Sequence, residues 1–278
     1  MLTRTRRGIE ALLDALFPHP NPVPERLAWA ACADGAGIAH LAGSRRAARV
    51  AEPASRVVLA ALPLHLTRTA AESAKDSTVA PDSTPDADPV LTCAVLASAI
   101  AAFEQQRTPT RPSALGIAAL VGAQSGYVTR LMQRSAVVSN RGLAAAAGVV
   151  AAGGAVAAWA DRRLLPSTVI GGAAVAATAA LANDPIFRAD TTTAAGETAD
   201  HGAVAIDPAR EGLSHGANLL LGAEGLRLLT NSGVVARGCK AVGFPVWVGE
   251  RGARAAVSWA GSIGQLLLVH GLTAPARS

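Results

Sequence analysis

Glu224 is the acidic residue whose surroundings in the sequence best support chemistry. It follows residues 216–223, an apolar run in which Asn218 is the only polar side chain. A carboxyl group inside such a helix finds no partner in hydrocarbon, so it marks a functional site and can serve as a general acid or base. Arg227, three residues further along and near the same helix face, offers a structural ion pair as the alternative. The sequence leaves both interpretations open.

A second carboxylate, Glu104, directly follows the 15 uncharged residues 89–103. Gln124 and Tyr127, the only tyrosine, lie three residues apart in a further apolar run and therefore share one helix face. A polar pair of this kind more often joins two helices by hydrogen bonds than forms an active site. Gln265 interrupts the last apolar run in the same way. These few polar side chains are the candidates for function.

Motifs of soluble enzymes and of metal sites are absent from the sequence. It contains no H-E-x-x-H, no G-x-S-x-G and no phosphate-binding G-x-x-x-x-G-K-[ST]. Cys32, Cys93 and Cys239 lie far apart and form no C-x-x-C pair, so neither a zinc site nor a disulfide framework is indicated. The arginines are scattered and are not interleaved with aromatic residues. We therefore expect no metal, no cofactor and no nucleic-acid partner.

The composition indicates which kind of structure must hold these residues. Of 278 residues, 50% are hydrophobic and 16% are charged, and the mean hydropathy is +0.31. Soluble domains carry about 25% charged residues. Such high hydropathy excludes a disordered chain and favours a membrane protein. A soluble bundle of alanine-rich helices is the alternative that composition alone does not remove.

The spacing of the charged residues favours the membrane class. A helix that crosses a bilayer needs about 20 residues with few or no charges. Four uncharged stretches, of 18, 19, 20 and 22 residues, approach or reach this length: 112–129, 142–160, 164–183 and 255–276. Four weaker segments are shorter or contain charges: 26–43, 57–67, 89–103 and 213–229. The sequence therefore predicts an all-α, polytopic transmembrane bundle of about eight helices, with between four and eight true spans.

Two polar stretches, 69–88 and 184–212, are rich in Asp, Glu and Thr and are predicted to be loops in water. Residues 1–25 are then an N-terminal tail, and residues 26–273 form a single transmembrane helical domain. If all eight segments cross, both loops fall on the same face of the membrane. We expect a multi-pass protein of the cell membrane, namely a bacterial plasma membrane.

Three short patterns resemble those of the YhhN, or lysoplasmalogenase-like, family of integral membrane proteins. Gly116 is followed by Ala123 to Tyr127 at the spacing of the family's fourth helix. Residues 216–224 follow the pattern of its seventh helix, and residues 264–267 follow that of its last helix. The resemblance covers most of residues 26–273 and implies an eight-helix membrane fold. It departs from the family at Gln124, which replaces a histidine, and at Glu224, which replaces an aspartate.

Characterised members of this family hydrolyse the vinyl-ether bond of lysoplasmalogens, so the resemblance implies a similar reaction on an ether lysolipid. The third helix of the YhhN family ends in an aspartate. In this sequence Ala102 takes that position or, in a register shifted by two, Glu104 does. The resemblance thus implies that Glu224 is a catalytic acid or base and that Glu104 is its partner. The implied polar lining of the substrate site consists of Gln124, Tyr127, Asn218 and Gln265.

A non-enzymatic membrane protein is the alternative, because two of the three key family positions are substituted. It could be a catalytically inactive relative, a carrier of lipids or small solutes, or an assembly factor. In either case the expected partner is a membrane lipid or lysolipid. The paired-carboxylate interpretation requires that Glu104 and Glu224 face one cavity within about 10 Å of each other, a separation that leaves room for water between two carboxylates.

Overall fold

The computed structural model describes residues 2–17, 24–76, 88–108, 111–187 and 208–274, and within them it is helical, with no β-strand. Its ten α-helices are α1 (Leu2–Leu16), α2 (Pro24–Ala42), α3 (Arg45–Asp76), α4 (Pro89–Arg107), α5 (Ala114–Gln133), α6 (Asn140–Ala160), α7 (Leu165–Ala182), α8 (Pro208–Asn231), α9 (Val234–Ala241) and α10 (Val246–Thr273). Short 3₁₀ turns lie at Arg162–Leu164 and Pro185–Phe187. The prediction of an all-α fold is confirmed.

Connections between the long helices gather at two ends of the bundle. The connections at 43–44, 161–164 and 232–245, the last of which contains α9, lie at one end with the end of α4 and the start of α5, and this is called the site end below. At the opposite end, Arg134 donates hydrogen bonds of 2.8 and 2.6 Å to the carbonyls of Gly271 and Leu272. Asp88 pairs there with Arg130 at 2.6 Å.

Local sequence fixes the helix boundaries at the site end. The backbone of Gly43 has φ +76°, a left-handed conformation that glycine adopts without steric cost, and it separates α2 from α3. Ser113 begins α5 as its N-cap, because its hydroxyl accepts a hydrogen bond of 3.0 Å from the Gly116 amide. These turns place the ends of α2, α4 and α8 beside the starts of α3, α5 and α10.

Helices α8 and α10 pack closely at two glycines that lie in the YhhN-like patterns. A Cβ atom added to Gly216 would lie 2.6 Å from the Gly264 carbonyl oxygen, and one added to Gly264 would lie 2.7 Å from the Gly216 carbonyl oxygen. Small residues let helix backbones approach closely. Such packing is important in lipid, because the hydrophobic effect does not bring helices together there. By contrast, Gly148 and Gly172 have no atom within 4 Å of an added Cβ, so not every glycine in the apolar runs serves packing.

Three helices are long and apolar enough to cross a membrane: Asn140–Ala160, Arg162–Ala182 and Val246–Thr273. They are consistent with a membrane protein. The apolar window of the last is 72% buried inside the bundle, whereas that of the first is only 6% buried. Helix α6 therefore presents an apolar surface on nearly all sides, including Leu143 and Trp159, and a helix apolar all round requires an apolar environment.

Several predicted boundaries change in the structure. The described residues form ten helices instead of about eight, and the uncharged stretch 112–129, which lies within α5 and the turn before it, is not among the three candidate spans. Most of the predicted N-terminal tail is helix α1, which packs against α8 and α10 because its buried residues Ala11 and Ala15 face them. The predicted loop 69–88 is helical up to Asp76, and α8 begins at Pro208, inside the predicted loop 184–212. Residues 77–87 and 188–207 lie outside the described part of the chain.

We predict that Gly216→Ala destabilises the protein, because the new methyl group would press on the α10 backbone. Overpacking of this kind costs about 1–3 kcal/mol in the free energy of unfolding. Gly222→Ala, on the same helix with nothing within 4 Å of the added Cβ, is the matched control, and we expect it to leave stability unchanged or to raise it. Thermal unfolding in detergent measures both variants. Equal unfolding temperatures would contradict close packing at Gly216.

Candidate functional site

Glu104 and Glu224, the two predicted catalytic residues, line the same cleft at the site end. This cleft, called the apolar cleft below, has a volume of about 140 Å³ and lies between α4, α5, α6, α7 and α8. The two carboxylates are part of its polar margin. The large apolar side chains in its lining are Ile117, Leu120, Val149, Val150, Leu164, Leu221 and Leu228.

Glu104 occupies the last turns of α4 and is buried. Its Oε2 accepts a hydrogen bond of 2.7 Å from the Ser113 hydroxyl, and its Oε1 lies 3.6 Å from the guanidinium of the exposed Arg107. A Cβ atom added to Gly116 would lie 3.0 Å from the Glu104 Cβ, so the start of α5 passes directly beside this side chain. Glu104 is thus held in a fixed position where α4 and α5 meet.

Glu224 lies on α8 and forms an ion pair with Arg227, as the spacing of the two residues suggested. The alternatives of ion pair and cleft residue are therefore compatible, because the same carboxylate does both. The carboxylate of Glu224 is partly exposed, unlike that of Glu104. It can accordingly meet a ligand or a water molecule in the cleft while Arg227 holds it.

A second cavity of about 660 Å³, called the basic cavity below, adjoins the apolar cleft. The two cavities share Gln105, Arg227 and Asn231 in their linings. Carboxylates in the basic cavity are few, namely Glu52 and Glu250. Its arginines are contributed by α3, α4, α8 and α10, and they are Arg45, Arg49, Arg107, Arg227, Arg251 and Arg254.

Glu52 is the centre of a buried charge network that joins α2, α3, α4 and α8. It is 1% exposed, and its Oε1 lies 3.6 Å from the Arg56 guanidinium and 3.7 Å from that of Arg227. Its Oε2 lies 3.4 Å from His40 Nε2 and accepts a hydrogen bond from the Gln106 amide. Arg227 therefore bridges two carboxylates, one in the network and one at the cleft. The network fixes the position of Glu224 through Arg227.

Arg56 extends this network toward the packed core. Its guanidinium donates a hydrogen bond of 3.0 Å to the Ser98 carbonyl on α4. The Ser98 hydroxyl in turn lies 3.3 Å from the Gln265 amide oxygen on α10. One chain of polar contacts thus links α3, α4, α8 and α10 beneath the two cavities.

The four residues predicted to line a substrate site are not brought together with the carboxylates. Gln124, Tyr127 and Gln265 are buried between helices and line neither cavity. Asn218 is exposed and exchanges hydrogen bonds of 3.0 and 3.3 Å with Asn183, the C-cap residue of α7. Their role in substrate binding remains a prediction, and their positions are those of residues that join helices.

Sequence reasoning did not identify Glu52 and Arg56 as site residues. Their spacing does indicate an ion pair, because an acidic and a basic residue four positions apart lie on one helix face. The segment nevertheless reads as a charged connection before the short apolar stretch 57–67. Only the neighbouring helices reveal that this face is buried.

No cluster of three or more His, Cys, Asp or Glu side chains that could hold a metal ion occurs in the described parts of the chain. No family model, curated protein or solved structure matches this chain. The likeness to the YhhN family therefore stays a prediction from the sequence motifs.

We predict that Glu52→Gln strongly destabilises the protein, because it leaves Arg56 and Arg227 without their shared buried carboxylate. Loss of one partner from a buried ion pair costs about 3–5 kcal/mol. Glu250→Gln is the matched control, since Glu250 also pairs with an arginine four residues away, Arg254 at 3.1 Å, but both side chains are partly exposed. Exposed pairs contribute about 0–1 kcal/mol. The measurement is the thermal unfolding temperature of both variants. Similar decreases in the two variants would contradict the central role of Glu52.

Proposed function

We propose that this protein is a multi-pass protein of the cell membrane that binds an ether lysolipid and hydrolyses its vinyl-ether bond. One observation carries the proposal: Glu104 and Glu224 line one cleft whose remaining wall is largely apolar. Two carboxylates are the groups that general acid–base hydrolysis needs. An apolar wall suits a hydrocarbon chain. The YhhN-like motifs support the same reaction.

The membrane location is supported by the uneven burial of the apolar helices. Helix α6 is apolar along its length but almost uncovered by the rest of the bundle, whereas α10 lies in its interior. In water, the face of α6 would be an extended apolar surface of a kind that soluble monomers rarely expose. Lipid around α6 and α7 removes this cost. The eight long helices, α2 to α8 and α10, are then the candidates for a polytopic arrangement.

The proposed reaction adds one water molecule to the enol ether R–CH=CH–O–R′. One carboxyl group gives its proton to the carbon remote from the ether oxygen, which leaves an oxocarbenium ion. The other takes a proton from water while the water oxygen bonds to the carbon next to the ether oxygen. The hemiacetal then breaks its bond to O–R′, and the hydroxyl proton passes to that oxygen. The products are the aldehyde R–CH₂–CHO and the alcohol HO–R′, and the proton balance of the two carboxyl groups is restored.

Glu224 serves as acid or base in this scheme, with Glu104 as its partner. Arg227 is a positioning residue, because it holds the Glu224 carboxylate at the margin of the cleft. Ser113 does the same for Glu104.

These contacts also favour a second function. Because both carboxylates already have partners within the protein, the cleft could hold a lysolipid without chemistry, as a carrier would.

We predict that Ala151→Arg prevents stable membrane insertion. Ala151 lies at the middle of α6 and is exposed, so in a bilayer the charge would face hydrocarbon at a cost of about 2.5–3.5 kcal/mol. Asn140→Arg, at the exposed start of the same helix, is the control with the same added charge. The measurement is the amount of full-length protein in alkaline-washed membranes. An undiminished yield of Ala151→Arg would contradict a membrane position for α6, since exposed sites in water tolerate such changes.

We predict that the purified protein releases a long-chain aldehyde from lysoplasmalogen and that Glu224→Gln lowers kcat by about 100-fold or more, because general acid–base groups contribute about 10²–10⁴. Glu104→Gln should have an effect of similar size. The control is Glu10→Gln, which alters an exposed carboxylate paired with Arg6 four residues away on α1. Lysolipid binding without aldehyde release by the unmodified protein would favour the carrier. Activity that survives in both cleft variants would rule out the paired-carboxylate mechanism.

A further inference from the structure

We propose that the basic cavity binds a phosphate group, either the phosphate of a lipid headgroup or free phosphate. Six arginines line this cavity against two glutamates. Guanidinium groups recognise phosphate oxygens through charge-assisted hydrogen bonds, often two at a time. The excess of positive charge in one concave surface is the first argument for an anionic ligand.

Two of the arginines are available for such a ligand. Within the described residues, Arg45 and Arg251 form neither an ion pair nor a hydrogen bond. The other four cavity arginines have protein partners: Arg107, Arg227 and Arg254 pair with carboxylates, and Arg49 donates a hydrogen bond to a backbone carbonyl. The guanidinium of Arg251 stacks over the Trp247 ring at 5.0 Å from its centre. This stacking orients the group but leaves the positive charge without a counter-ion.

The approach of Arg251 to the turn between α2 and α3 is unusually close. A Cβ atom added to Gly43 would lie 2.6 Å from its Nη2 atom. Gly43 therefore provides space for the guanidinium beside Ser44 and Arg45, which line the same cavity. Arginines from α3 and α10, 206 positions apart in the sequence, are thereby placed around one volume.

The start of helix α3 is a further electrostatic reason to expect an anion in the basic cavity. It begins at Arg45 and carries no acidic residue in its first turn. The start of a helix has a partial positive charge from its unpaired amides, so cations there are unfavourable and anions are favourable. An anion in the basic cavity would offset both the arginine charges and the helix start. The position of Arg45 supports a site for an anion instead of a site for a cation.

The junction of the two cavities indicates how a lipid would lie. Arg227 and Asn231 line both, so a molecule with a hydrocarbon chain in the apolar cleft would have its polar end in the basic cavity. In a lysolipid the bond to be cleaved lies between chain and phosphate, which corresponds to the margin where Glu224 and Arg227 lie. For a lipid ligand the inference rests on the proposed function, and it adds the location of the headgroup.

The test is binding to the purified full chain in neutral detergent, measured by titration calorimetry. Inorganic phosphate is the first probe, and oleoyl lysophosphatidylglycerol is compared with monooleoylglycerol, which lacks the phosphate. We expect the double variant R45Q/R251Q to bind the phosphate-bearing probe at least about tenfold more weakly, since each hydrogen bond to a charged group contributes enough for such a change. The control R162Q/R163Q removes the same charge from the exposed turn after α6.

Each outcome of the binding experiment either supports or overturns the proposed phosphate site. Binding of inorganic phosphate that R45Q/R251Q loses identifies a site for the free ion, and binding of the lysophospholipid alone identifies a headgroup site. The proposal is overturned if neither phosphate-bearing probe binds more tightly than monooleoylglycerol, or if both double variants lose affinity equally. Should R45Q/R251Q not fold, R45Q alone, at an exposed side chain, is judged by the same criterion.

Failure of this site and failure of the hydrolase proposal are distinguishable. Phosphate binding through these arginines without aldehyde release by the unmodified protein keeps the site and removes the hydrolase. Aldehyde release that depends on Glu224, with binding unchanged in R45Q/R251Q, does the reverse.

Discussion

The buried carboxylate of Glu52 is the constraint around which the site end is organised. A charge removed from water is tolerated only when it is paired, and here two guanidiniums, an imidazole and an amide surround it. Because these groups come from α2, α3, α4 and α8, their pairing sets how the four helices lie against one another. The position of Glu224, and with it the margin of the apolar cleft, follows from the same arrangement through Arg227.

Two cavities of opposite character result from this arrangement. On one side of Arg227 the lining is rich in leucine, valine and glycine, and on the other side it includes six arginines against two glutamates. An apolar volume that adjoins a cationic one is complementary to a molecule with a hydrocarbon part and an anionic part. The outer helices α6 and α7 complete the apolar side, and both are long and apolar enough to cross a membrane.

The sequence was informative about single residues and weak about pairs. Glu104 and Glu224 could be singled out because a carboxylate that interrupts or ends an apolar run is conspicuous, and the two line one cleft. Gln124, Tyr127 and Gln265 also interrupt apolar runs, and the resemblance to the YhhN family implied a place in the substrate site, yet they are buried between helices and line neither cavity. Periodicity shows that residues share a face, but not which neighbour that face meets. Glu52 was overlooked because its partner Arg227 is distant in the sequence and its own segment is rich in charge.

By itself the sequence determined the helical class, the apolar character of the candidate spans and the rarity of charges within them, because these depend on composition and local spacing. The tertiary structure decided that α1 packs on the bundle instead of forming a tail, that Gly216 meets Gly264, and that charges from four helices converge on Glu52. Such contacts depend on the rotation and offset of whole helices. Those are set by the sum of many packing interactions over the chain, which no local pattern of residues contains.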